Sequence, residues 1–321
     1  MRAVQVVRFG GPETLVTGRL PEPVAGAGQV VVEVAVADVL FLDTQLRGGW
    51  AEYFDVRPPY VPGSGVGGRV VAVGEGVDPG WTGRDVVTTV VGGAYAERAV
   101  AVAEGLVPVP DGLDMREAVA LLQTGPAALR LADEARIAPG EWVLVTAAAG
   151  GLGSLLVQLA HAAGARVVAA ARGERKLAFA RELGADVTVD YSEPGWTEQV
   201  RRATGSDGPD VVFDGVGGEI GLASFGVTAR GGRFFGYGAP SGGLTEVDRE
   251  EARRREVDAH GIEQVQFSPE EIAKLAGQAL AEAAAGRIRP VIGRTFPLER
   301  AADAHIALES REVLGKVLLL I

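Results

Sequence analysis

Along the first third of the chain, apolar and polar positions alternate with a period of two in the runs MRAVQVVRF, QVVVEVAV, GGRVVAVGEGV, RDVVTTVV and AYAERAVAV, with glycine and proline between them. That period sends successive side chains to opposite faces, so these runs predict a compact antiparallel β module reaching about Asp111. Helical patterning starts near Asp114, and from about Glu141 the rhythm is strand, helix, strand, helix. The predicted strands are WVLVTA, RVVAAA, VTVD, DVVFD and GRFFGYG, and the helices are Gly151–Ala163, Glu174–Leu183, Trp196–Thr204 and Glu219–Ala229. This order is the signature of a parallel sheet with covering helices. A further helix is signalled at Ser268–Gly286, with Ser268 as N-cap, Pro269 at the first position, Glu271 completing a capping box and Gly286 after the end. The terminal KVLLLI reads as a strand that returns to the N-terminal module. The doubly wound domain is then an insertion, with the β module at 1–118 and 287–321 and the inserted domain at 119–286.

Composition narrows the function. A length of 321 residues is about twice the usual ~150-residue domain, and 47% hydrophobic with 23% charged residues describes an ordinary globular chain. The net charge of −11, from 42 acidic against 31 basic residues, repels nucleic-acid backbones and anionic lipid, so neither is an expected partner. No stretch approaches the ~20 apolar residues of a membrane span, and Met1 opens directly into a strand-like run rather than a signal peptide, which predicts a cytoplasmic location. Cysteine is absent and the histidines are only His161, His260 and His305, so no metal site is expected. Both His161 and His305 fall in helical patterns and read as packed or surface residues. The basic cluster Arg249–Arg255 is interleaved with acids at helical spacing and reads as a solvated helix face.

The sharpest chemical signal is TAAAGGLGSLLVQLA, Thr146–Ala160, where a buried strand ends in a glycine turn that opens a helix. In that context A-x-x-G-x-x-G is specific for dinucleotides. Gly150 and Gly151 can take conformations closed to other residues and let the backbone approach a pyrophosphate, Gly153 allows close packing, and Ala149 and Leu152 complete the turn. The phosphates then meet free N–H groups and the positive end of the helix dipole. About 20 residues on, an NAD site carries a carboxylate for the ribose hydroxyls. Here the strand ends Ala169–Ala171 without one, and Arg172, Arg175 and Lys176 follow. Cations there favour a 2′-phosphate, which predicts NADPH.

FGGPETL, FLDTQLRGG, GAYAERAVA, AAAGGLG, KLAFARELGAD, VVFDGVGG and GKVLLLI together resemble the medium-chain dehydrogenase/reductase superfamily, and within it the zinc-free quinone oxidoreductase branch, over the whole chain. The resemblance implies a GroES-like β-rich domain for the substrate and a Rossmann-type doubly wound domain for NADPH, in a homodimer. Zinc-containing relatives carry a His-Glu pair where this chain has Ser64 and Gly65 in PGSGVGG. Three positions that are polar in relatives are changed: Leu40 stands for Asn, Ala127 for Thr and Gly215 for Ser. A fourth, Gln45, stands where relatives often have Tyr. The resemblance also implies that Asp43 lies near the cofactor, that Lys176 and Tyr191 bind the adenosine phosphate, and that Gly217 and Gly238 sit in loops beside the dinucleotide. Two bland roles stay open, a helix cap for Asp43 and a packed strand-end aromatic for Tyr191.

A nicotinamide supplies the hydride, so the protein needs chiefly to align donor and acceptor and exclude water. The expected reaction is NADPH-dependent reduction of a quinone. Alternatives are reduction of an enal or enoyl thioester, and non-enzymatic NADPH sensing. Candidate acids are Tyr53 and Tyr60 in AEYFDVRPPY, with Asp43 as the third catalytic candidate. Arg47 and Arg57 read as surface charges that could line a channel for a long acyl substrate.

Overall fold

The structure is a computed structural model that describes residues 1–50, 56–90, 92–205 and 207–321. The chain forms two compact units, 1–123 with 267–321, and 124–266.

In the first unit the chain runs β1 (Arg2–Val6), β2 (Leu15–Arg19), β3 (Gln29–Val39), α1 (Phe41–Gly48), β4 (Gly65–Val73), β5 (Asp85–Thr89), β6 (Arg98–Val102) and β7 (Val107–Pro108), and α2 (Met115–Ala135) follows. The long β3 organises the sheet because it pairs antiparallel with both β4 and β6. Its inward side chains Val30, Val32, Val34, Ala37 and Val39 are all buried in one apolar cluster. Bulges interrupt β3–β4 at Val31/Val32 and Val34/Val36, and they curl the sheet.

The second unit holds β8 (Trp142–Thr146), α3 (Gly151–Ala162), β9 (Arg166–Ala171), α4 (Glu174–Glu182), β10 (Val187–Asp190), α5 (Trp196–Ala203), β11 (Val211–Asp214), α6 (Gly218–Val227), β12 (Arg233–Gly236), α7 (Arg249–Arg254) and β13 (Asp258–His260). All its strands are parallel, in the order β10-β9-β8-β11-β12-β13. Central strands of such a sheet are covered on both faces, and β8, β9 and β11 are accordingly near-continuous apolar runs. The strand order reverses between β8 and β11, and in open α/β sheets that switch point is where ligands bind, outside the carboxyl ends.

The chain returns to the first unit with α8 (Pro269–Ala284), β14 (Ile292–Pro297), α9 (Ala301–Glu309) and β15 (Lys316–Leu320). The β15 strand pairs antiparallel with β3, so the last strand does close the first module. The capping box of α8 is formed: Glu271 N donates to Ser268 Oγ at 3.2 Å and Ser268 N to Glu271 Oε2 at 2.9 Å. This helix packs on β7 and the turn at Ala103–Gly105, and it groups with the first unit although the sequence boundary at 287 had put it in the other. Among the described residues no helix is long and apolar enough to cross a membrane. Of the basic cluster, Arg255 is not solvated as expected: its guanidinium lies over the Phe225 ring at 5.2 Å and donates to the Phe225 and Thr228 carbonyls.

Candidate functional site

The glycine turn lies at the carboxyl end of β8, beside the switch point. Gly150 N donates to Ala147 O at 2.8 Å, and Ser154 N to Gly150 O at 2.9 Å, which opens α3 directly from the strand. A Cβ on Gly153 would stand 2.4 Å from Ala147 O and 3.0 Å from Ala147 C and Ala148 Cα, all of them backbone. Only glycine fits. The left-handed residue of the turn is Ala147, at φ 49°, whereas Gly150 is extended and Gly151 opens the helix. Gly153 is thus required by contact, and the conformational freedom expected of Gly150 and Gly151 is not what the turn uses. The first turn of α3 contains no acidic residue, so no carboxylate there opposes the positive end of the helix dipole.

Beside this turn the carboxylate of Asp214, fully buried at the end of β11, ties three loops together. Its Oδ1 accepts from Thr146 Oγ1 at 2.8 Å and Val216 N at 3.1 Å, and its Oδ2 from Thr245 Oγ1 at 2.6 Å and Gly217 N at 3.1 Å. Gly217 and Gly238 are brought together here. A Cβ on Gly217, at φ 77°, would meet Gly243 O at 2.2 Å and Gly238 O at 2.6 Å, and one on Gly238 would meet Gly215 O at 2.2 Å. Backbone therefore packs on backbone next to the crevice. Room left by the missing side chain at Gly215 is taken by Tyr237, whose hydroxyl would lie 2.7 Å from a Cβ there. That hydroxyl is buried without a hydrogen-bond partner among the described residues. Sequence reasoning quoted VVFDGVGG without assigning Asp214; a lone acid ending a buried apolar strand was the available signal.

At the end of β9, Arg172 and Arg175 are exposed and Lys176 is half-buried at the start of α4. Glu174, the one acid among them, turns to Arg181 at 2.7 Å. A second acid was missed. Asp190 on β10 is the register neighbour of Ala171, and its Oδ2 accepts from Gly173 N at 2.7 Å while Oδ1 accepts from Ser192 N at 2.8 Å. Burial pushes this carboxyl upward, but hydrogen bonds from Ser192 and Gly173 and the charge of Arg172 outweigh it and hold the group below the usual aspartate range. Both oxygens are engaged in shaping the Gly173 corner. Tyr191 is half-buried against the core of the second unit, close to its packed reading.

In the first unit Asp43 caps α1 and is buried: Leu40 N donates to its Oδ2 at 2.9 Å and so does the Tyr95 hydroxyl at 3.1 Å. Tyr95 Oη also lies 3.1 Å from His305 Nε2, and the two rings meet edge-on. Desolvation pushes Asp43 up to about 7, and it pushes His305 down to about 3 with help from Arg47. Tyr60, bridged to Val6, is half-buried, and burial with the nearby Asp43 charge raises its hydroxyl to about 12. Arg47 overturns the surface reading: its side chain is 3% exposed and pairs with Glu309. Arg57 is exposed as expected. Tyr53 lies outside the described residues. Gln123 donates to Ser64 Oγ at 3.4 Å, and among the described residues no three His, Cys, Asp or Glu side chains gather as metal ligands would.

Two opposed pH dependences follow. The folded state holds a proton on Asp43 that an unfolded aspartate, at about 4, releases, so this group lowers stability as pH rises from about 4 to about 7. His305 stays neutral when folded and binds a proton near 6.5 when unfolded, so it raises stability as pH rises from about 3 to about 6.5. In urea unfolding between about pH 4.5 and about pH 6, His305→Gln should lose stability relative to wild type as pH rises, by up to about 1.4 kcal/mol per pH unit. Asp43→Asn should gain by the same measure. Parallel pH curves for all three proteins would show that neither group is shifted.

Comparison with known proteins agrees with this architecture. The "Alcohol dehydrogenase GroES-like domain" family matches residues 26–111 and the "Zinc-binding dehydrogenase" family matches 151–281. Quinone oxidoreductase from Rattus norvegicus is 31% identical over 100% of this chain and 98% of its own length. The 2-haloacrylate reductase of a Burkholderia species is 31% identical over 99% and 98%. A mycobacterial protein solved in complex with NADPH superposes with a TM-score of 0.92 at 33% identity, covering 100% of both chains. With two units of the fold expected, a glycine turn at the switch point and full-length similarity, the chain belongs to the zinc-free quinone oxidoreductase branch of the medium-chain dehydrogenase/reductase superfamily.

Proposed function

We propose that this protein is an oxidoreductase that transfers hydride from NADPH to a quinone. The observation that carries the proposal is the Gly153 contact with Ala147 O, because it holds an acid-free helix N-terminus where a pyrophosphate can reach its N–H groups. We assign the cofactor to residues of the second unit: Ala149–Gly153 for the pyrophosphate, Arg172 and Lys176 with Tyr191 for the phosphorylated adenosine, and the Gly217 and Gly238 loops for the nicotinamide half. The nicotinamide supplies the hydride. Gly173 and its anchor Asp190 aim Arg172, and Asp214 fixes the spacing of the Gly217 and Gly238 loops. In the first unit Asp43 positions α1, and Tyr60 retains its proton at neutral pH for an acceptor that needs one. Solvent can protonate a reduced quinone without it. The similarity to a 2-haloacrylate reductase favours carbon–carbon double bonds as the second acceptor class. A cytoplasmic homodimer is the assembly we expect, and sedimentation would test it.

The test is loss of NADPH absorbance against a panel of benzoquinone, phenanthrenequinone, alkenals and a crotonyl thioester. Saturable turnover with a quinone supports the proposal, turnover confined to the others moves the protein to C=C reduction, and binding without turnover favours a sensor. Replacing Arg172 and Lys176 together with Ala should weaken NADPH by about 10–100-fold, from the loss of charge-assisted hydrogen bonds, and leave NADH nearly unchanged. Equal losses for both cofactors would remove the adenosine phosphate from these residues.

A further inference from the structure

We propose that Asp43, Tyr95 and His305 form a buried two-state relay in which proton uptake by Asp43 reverses the Tyr95 hydroxyl and switches the tautomer of His305. The geometry demands a choice. Tyr95 has one hydroxyl proton and stands 3.1 Å from two atoms that can each take it, Asp43 Oδ2 and, when it is unprotonated, His305 Nε2. With Asp43 ionised, His305 Nε2–H donates to Tyr95 Oη, whose O–H donates to Asp43, and Nδ1 carries only a lone pair. With Asp43 protonated, its O–H donates to Tyr95 Oη, the Tyr95 O–H donates to a bare Nε2, and the His305 proton sits on Nδ1. The cluster gains one proton in passing from the first state to the second, and the imidazole is neutral in both.

Each state has its own penalty, and that balance makes the relay switchable. The first buries a carboxylate charge whose hydrogen bonds come from the Leu40 N–H and Tyr95, and the second buries an Nδ1–H that has no partner among the described residues, since His305 Nδ1 is buried and unpaired there. The surrounding charges are the Asp38–Lys316 pair on β3 and β15, Arg47 on α1 with Glu309 on α9, and the hydroxyl of Tyr60. Asp38 opposes ionisation of Asp43 and Lys316 favours it, while Arg47 opposes a charged His305. The Tyr95 ring is held by packing: it is fully buried, and it lies so close to Gly63 that a Cβ there would come within 2.6 Å of it. Only protons are left to move, so the relay transmits solution pH to the joint between α1 and α9.

With only three histidines in the chain, nitrogen-detected NMR of the full-length protein labelled at histidine reads the tautomer directly, with His161→Gln and His260→Gln for assignment. From about pH 5 to about pH 9, His305 should pass from Nδ1–H to Nε2–H without forming imidazolium. Asp43→Asn should lock His305 in one tautomer at every pH, because the side-chain amide cannot titrate. Tyr95→Phe should abolish the pH response. A single tautomer throughout in the wild type, or an Asp43→Asn protein that still switches, overturns the proposal.

Discussion

Gly153→Ala should weaken NADPH binding at least about 100-fold while leaving the chain folded. The added methyl would sit 2.4 Å from Ala147 O, and no flexible side chain is available to yield, so the turn must move away from α3. Such movement misaligns the N–H groups at the helix start, and two charge-assisted hydrogen bonds of about 1.5–3 kcal/mol each account for a loss of that size. Gly226→Ala is the matched control in the same unit. It lies in α6 with nothing within 4 Å of the added atom, so it should stabilise by about 0.5–1 kcal/mol and leave binding alone. Fluorescence titration with NADPH, alongside circular dichroism, checks both. If Gly153→Ala binds normally, the phosphates do not rest on this turn.

The largest expected effect on stability is at Lys316. Its ammonium lies 2.8 Å from Asp38, with the Lys side chain 7% exposed and the Asp fully buried, and the pair joins the returning strand β15 to β3. Burial pushes the Asp38 carboxyl upward and Lys316 opposes that push. Lys316→Met leaves the carboxylate without its partner and should cost about 3–5 kcal/mol at neutral pH. Part of that returns in acid, where Asp38 takes up a proton and the buried charge disappears. Asp38→Leu with Lys316→Met removes both charges and should recover most of the loss. A single substitution that costs nothing in chemical denaturation would mean that the pair is not buried in solution.

How far the sequence was readable followed the range of the interaction. Strands such as β3, rich in valine with a central alternating stretch, and β8, a nearly continuous apolar run, carry their burial in neighbouring residues and were visible. By contrast β14, which reads IGRTFP with mostly exposed positions and a terminal proline, has neither signal and was missed. The glycine turn was legible because strand, glycines and helix are contiguous, but which residue adopts positive φ was not, since that depends on how Ala147 packs between β8 and α3. Asp190 escaped notice because the expected carboxylate was sought at the end of β9 itself. It reaches the same corner from the adjacent strand through sheet register. Arg47 passed for a surface charge because its partner Glu309 is 262 positions away, and the Asp43–Tyr95–His305 chain spans separations of 52 and 210.

The most direct measurement of the central claim is equilibrium titration of the wild-type protein with NADPH, followed by nicotinamide fluorescence and competed by adenosine 2′,5′-bisphosphate. Saturable binding that the bisphosphate displaces, tighter than for NADH, is the predicted result. Failure to bind NADPH, or equal affinity for NADH with no displacement, would contradict the assignment of the glycine turn and the Arg172 corner to this cofactor.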